Sequence, residues 1–115
     1  MLNTEGREQY PYHRRFIRKK VRVKVEVHQG KSFNTWTLNI SQDGLCFEIP
    51  EQIQDGKDVM VWVFPTSGKN KLKPVLAKCK VVWSEQGKKH IKHGGQFVEF
   101  QNDGHKQLAG WLKKS

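Results

Sequence analysis

Two short segments of the chain carry residue types whose spacing can do chemistry. Arg14 and Arg18 form an Arg-x-x-x-Arg pattern inside His13-Arg14-Arg15-Phe16-Ile17-Arg18-Lys19-Lys20, and an Asn39-x-Ser41-x-x-Gly44 pattern follows beyond one alternating run and a turn. A guanidinium is a planar fork of donors that matches the O6 and N7 acceptors of a guanine edge, and its flat face stacks on a purine ring. Each bidentate arginine–guanine contact contributes about 1–3 kcal/mol, against about 0–1 kcal/mol for an exposed ion pair. Asn39 and Ser41 offer short hydrogen-bonding side chains, and in a strand-like segment residues two apart point the same way and form one polar wall. Gly44 permits φ > 0 or a close backbone approach that a Cβ would obstruct. The chemistry these residues suit is recognition of a phosphorylated purine.

Other kinds of chemistry have no visible machinery. No Ser, Cys or His sits in a nucleophile setting, no paired carboxylates flank a plausible cleft, and no glycine-rich phosphate loop precedes a helix, so the chain reads as a non-enzyme without a cofactor. His90 and His93 lie in a Lys- and Gly-rich stretch without further ligands nearby, and read as solvated loop histidines with no metal. Cys46 and Cys79 each fall within an apolar run and belong to no closely spaced pair, as expected of buried, reduced thiols. The formal charge of +10 implies a field that attracts anions. Charge alone is equally consistent with nucleic acid, an acidic membrane surface, an acidic protein or a phosphorylated small molecule.

The elements that must position these residues follow from periodicity. With 115 residues and 36% hydrophobic content, the chain is long enough to bury roughly 60–70% of its unfolded surface around one core. Val21, Val23, Val25 and Val27 alternate with Arg22, Lys24 and Glu26, the pattern of a half-buried strand. Beyond a turn at Gln29-Gly30-Lys31, Trp36, Leu38 and Ile40 share a parity with Asn34, with Thr35 and Thr37 on the other face. The run from Asn39 to Gly44 is rich in residues that bond back to their own backbone, so it predicts a tight connection to a third strand carrying Leu45, Phe47 and Ile49. Val59 to Phe64 predicts a fourth strand buried on both sides, and Pro65 to Asn70 a polar loop. Val75 to Trp83 predicts a fifth strand, Ser84 to Gly94 a Lys- and His-rich loop, and Gly95 to Phe100 a sixth. Asn102 or Asp103 caps a final helix whose Leu108, Trp111 and Leu112 form an apolar stripe that would plug a barrel opening. The four tryptophans mostly read as core or plug aromatics. The architecture expected is all-β, a six-stranded antiparallel small barrel with a short C-terminal helix. Residues 1–12 are mostly polar and read as a flexible tail ahead of one domain over residues 13–115. The longest apolar run, Val59 to Phe64, is far short of the roughly 20 residues of a membrane span, and no secretion core opens the chain, so the expected location is the cytoplasm.

The two patterns in this order resemble the PilZ domain family, with Arg-x-x-x-Arg in an N-terminal arm and Asp/Asn-x-Ser-x-x-Gly after the second strand. The likeness covers roughly residues 13 to 113, including six strands, Gly95-x-Phe97 in the last strand and the terminal helix. It implies a bacterial receptor or adaptor for the second messenger cyclic di-GMP, with the arm changing conformation over the bound nucleotide to regulate an effector protein of motility, adhesion or exopolysaccharide output. By the motif match, Arg14 and Arg18 hold guanine and phosphate groups, Asn39, Ser41 and Gly44 supply the barrel-side contacts, and Arg15 is an added binding residue between the matched arginines. Asn39 departs from the commoner Asp and loses charge assistance. Asp43 replaces a frequent glycine and is expected to point into solvent. The alternatives from other classes are a small-barrel nucleic-acid-binding protein and a PilZ-like adaptor that binds no nucleotide. Neither accounts for the two motifs together, which argues against nucleic acid as the partner.

Overall fold

The computed structural model describes residues 21–114, so His13, Arg14, Arg15 and Arg18 and the tail over residues 1–12 lie outside the described residues. The strands are β1 (Lys24–Gln29), β2 (Lys31–Ile40), β3 (Gly44–Ile49), β4 (Asp58–Phe64), β5 (Thr66–Ser67), β6 (Asn70–Lys71), β7 (Val75–Gln86) and β8 (Ile91–Phe100), followed by α1 (Gly104–Lys114). Six of them close an antiparallel barrel in the order β1-β2-β3-β8-β7-β4, with β4 returning to β1. Closure pairs each of these six strands on both sides, so the barrel itself leaves no edge to recruit other chains.

Valines dictate the register. Val25 stands opposite Val63 and Val27 opposite Val61 across β1 and β4, while Val61 faces Ala77 and Val59 faces Cys79 across β4 and β7. All seven side chains are buried, with Leu45, Phe47 and Ile49 of β3 filling the rest of the interior. Each such aliphatic side chain contributes about 1.5–3 kcal/mol on burial, and a one-residue slip would turn a whole row to water. Leu108 and Leu112 of α1 belong to the same buried cluster, so the helix closes one end of the barrel. Asp103 precedes the helix and its carbonyl accepts from the N–H groups of Lys106 and Gln107 at 3.0 Å each.

The structure departs from the periodicity at several places. The polar loop after Pro65 contains the β5–β6 hairpin, pinned to α1 by Trp111 Nε1, which donates to Thr66 O at 2.7 Å. The long loop from Ser84 to Gly94 is instead a continuation of β7 and β8, leaving only Gly87–His90 as the tip. His93 therefore lies inside the barrel, fully buried and stacked on Phe47 with ring centroids 5.3 Å apart, while His90 is exposed. Ile53 N donates to His93 Nε2 at 3.0 Å. Burial pushes the His93 pKa below its ordinary value against the opposing pull of the Ile91 backbone and the Asp55 charge, in keeping with a neutral ring that accepts this bond.

The remaining departures are bulges. The β2–β3 register shifts between Thr37 and Asn39, and the β7–β8 register shifts between Lys78 and Cys79 and again between Val81 and Trp83. An extra residue in one strand reverses the inward parity beyond it. Thr37 and Ile40 both point inward as a result, and Trp36 and Leu38, 49% and 36% exposed, point outward. Trp83 leaves the inward row and lies against Gly94, where a Cβ would collide with its indole. None of the four tryptophans is among the buried core residues. Trp36 is exposed and Trp62, Trp83 and Trp111 are half-buried, because the narrow interior is already filled by smaller side chains. Cys46 and Cys79 are both buried, as their apolar runs predict.

Candidate site at the arm exit and the β2–β3 elbow

The elbow between β2 and β3 is built from its own polar side chains. Ser41 N donates to Gly44 O at 2.8 Å, and Asp43 N donates to Ser41 Oγ at 3.3 Å. The Ser41 hydroxyl in turn donates to the Asp43 carboxylate. This is the local back-bonding that makes short polar residues favour turns over ladders. Asp43 thus turns back onto Ser41 instead of pointing into solvent, and its carbonyl accepts from Phe97 N on β8 at 2.8 Å. The elbow is tied to the sheet on its far side as well as within itself.

Asn39 is half-buried opposite Cys46 at the bulge, whereas Ser41 is buried with 1% of its surface exposed. Gly44 is buried and pairs with Gln96 as the first residue of β3. Among the described residues the glycines with left-handed φ are Gly30, Gly56 and Gly68, so Gly44 meets no such requirement here.

Thr37 joins this elbow to the start of the described chain. Its N donates to Val23 O at 2.9 Å, and its hydroxyl accepts from Val23 N at 3.1 Å and donates to Val21 O at 2.7 Å. Three hydrogen bonds to one buried residue hold residues 21–23 against β2 two positions before Asn39. The segment that leads to the arginines therefore leaves the barrel beside the elbow. Sequence reasoning missed Thr37 because it assigned the outward parity to the threonines. The clue was that Thr35 and Thr37 are β-branched and share parity with Phe33, a set as able to line a barrel as Trp36 and Leu38.

Among the described residues, no three His, Cys, Asp or Glu side chains are grouped to hold a metal ion, and no helix is long and apolar enough to cross a membrane. The class of protein defined here is a small closed β-barrel, plugged by a C-terminal helix, that presents a self-braced polar elbow beside the entry of a basic arm.

The PilZ domain family model matches residues 12–114, and the chain belongs to that family. PilZ domains are ligand-binding receptor domains. The Bacillus subtilis inhibitor of motility MotI (DgrA) superposes with a TM-score of 0.78 at 13% identity, covering 90% of this chain and 51% of that one. The present chain thus spans about half the length of that protein. The PilZ domain of Escherichia coli YcgR, solved with c-di-GMP, superposes with a TM-score of 0.66 at 11% identity over 90% of this chain and 94% of that one. At these identities the likeness shows the shared fold. No curated protein matches the chain.

Proposed function

We propose that this chain is a cyclic di-GMP receptor in which Arg14, Arg15 and Arg18 close over a nucleotide seated at Asn39, Ser41 and Gly44, and that the ordered arm regulates an effector protein. The observation that carries this reading is the Thr37 clamp, which places the arm's exit beside the elbow. An extended chain spans at most about 3.3–3.6 Å per residue. Arg18, three residues before Val21, is thus within about 10 Å of that exit, and Arg14, seven before it, within about 25 Å. Both distances allow the guanidinium groups to reach a purine dinucleotide held against the elbow.

The family membership and the YcgR domain with its bound c-di-GMP support the choice of ligand, and the MotI likeness supports control of motility. Fixing backbone costs about 1–2 kcal/mol per residue, so closure of the arm requires several charged contacts acting together. A neutral Asn39 accepts from a guanine N–H without charge assistance, which tunes affinity and leaves the ligand class unchanged.

Titration calorimetry with cyclic di-GMP, GTP and a short single-stranded DNA tests the reading. Cyclic di-GMP binds at micromolar concentration or tighter, and Arg14→Ala or Arg18→Ala each weakens it at least about tenfold, or about 1.4 kcal/mol. Equal binding by wild type and variants refutes the site, and preference for DNA with steep salt dependence would establish a nucleic-acid barrel in its place.

A further inference from the structure

A cleft of about 690 Å³ opens on the outer surface where β1, β2 and the end of β4 meet the β5–β6 hairpin. Val23, Phe64, Pro65 and Pro74 line it with apolar surface. Trp36 and Leu72, 49% and 40% exposed, add two large side chains that no core requirement explains. Exposed apolar residues gathered in a concavity, unlike scattered ones, mark interaction surfaces.

Its charge is one-sided. Arg22, Lys24 and Lys71 line the same cleft, all exposed, and the one acid among the lining residues, Glu26, is engaged by His28 Nε2 at 2.6 Å. The Arg22 guanidinium lies 5.7 Å from the centre of the Trp36 ring, a cation–π approach that holds the charge over the cleft.

Neutral hydrogen-bonding groups are few in the lining, since Pro65 and Pro74 have no N–H and Thr66 is its one neutral hydroxyl or amide side chain, so what the cleft offers is apolar surface beside positive charge. Aliphatic and aromatic side chains flanked by carboxylates fit this surface. We infer that the cleft is the docking site for an acidic peptide segment of a partner protein, with an apolar side chain seated against Trp36 and Leu72 and its neighbouring carboxylates on Arg22, Lys24 and Lys71. The wall that carries Thr66 is anchored to α1 through Trp111, so the pocket is formed before the partner arrives. The site uses none of the residues proposed to touch the nucleotide and shares only Val23 with the Thr37 clamp, so it stands whether or not the nucleotide reading does.

Fluorescence anisotropy on the full chain tests it with four classes of short labelled peptides in shuffled order: Glu with Leu and Phe, Glu with Ser, Lys with Leu and Phe, and Ser with Leu and Phe. The class combining Glu with Leu and Phe binds, and Trp36→Ser weakens it about tenfold. The Lys24→Glu, Lys71→Glu pair abolishes that preference, while Lys88→Glu with Lys89→Glu, the same charge change at the exposed Gly87–His90 tip, leaves it intact. Because Trp36 and both lysines are exposed, the variants retain their melting profiles. Binding by the Glu and Ser class to the same degree, or equal loss from the two double variants, would reduce the effect to net charge and overturn the proposal. Displacement of the peptide by GMP together with Trp36-dependent GMP binding would overturn it in favour of a nucleotide pocket.

Discussion

The two ends of the barrel solve the same physical problem differently. Both openings expose an apolar interior that must be kept from water. At the elbow end α1 does this with Leu108 and Leu112. At the opposite end, where β3 runs into β4, a single buried Ile53 closes the core, and its N–H is held by the ring of His93. The first closure is made by apolar packing, so the polar groups around it, Thr37, Asn39 and the Ser41–Asp43 pair, are left to shape the arm exit and the elbow. The second depends on a titratable ring remaining neutral. The lesson is that the surface proposed for the ligand is braced by contacts that do not involve a histidine, while pH sensitivity is built into the far end.

Removing a helix anchor should break this contrast most severely. Leu108→Ala leaves a cavity beneath α1 and costs about 2–5 kcal/mol, read as a lowered denaturant midpoint; a loss below about 1 kcal/mol would mean that the helix is not the closure. Thr37→Val is next, because Val23 N and Val21 O both lose their partner inside the protein. About 1–3 kcal/mol of stability goes with them, and nucleotide binding by calorimetry weakens even though Thr37 itself touches no ligand. Unchanged binding at full occupancy of the folded state would show that the arm does not depend on this clamp.

The smallest effect belongs to the His93 end. A histidine whose folded pKa lies below its unfolded value binds fewer protons folded than unfolded, so its contribution is complete above the ordinary value of 6.5 and is lost as the pH falls from there toward the lowered folded value. Urea midpoints should therefore decline below that pH in the wild type. In His93→Gln, whose amide oxygen can still accept from Ile53 N, that part of the decline disappears. A decline of the same size in the variant would assign the acid sensitivity elsewhere.

Most of the barrel was legible because alternation is a direct record of a half-buried strand: β1, β3 and β4 carry the valines and leucines where the period of two puts them. The elbow was legible as a turn from Asn39 to Gly44, for the same reason that its short polar side chains bond their own backbone. Its inner wiring was less so. Asp43 bonds Ser41 rather than water, and Ser41 and Asn39 differ in burial, since β2 ends at Ile40 and Ser41 already belongs to the elbow. The Ser84 to Gly94 segment looked like a loop because its lysines and glycines hide a strand, although Ile91 and His93 alternate within it.

What the chain determined by itself was the six barrel strands, the turn chemistry and the paired arginine and Asn-x-Ser-x-x-Gly motifs, all of them local consequences of residue type and spacing. The tertiary structure decided which face of β2 points inward, that Thr37 ties the arm's root to β2 beside the elbow, that His93 is a core residue and that Trp36 lines an outer cleft. The physical reason is that periodicity specifies a face only within an unbroken ladder; one inserted residue reverses it, and whether a bulge occurs is settled by how the closed barrel fills its interior.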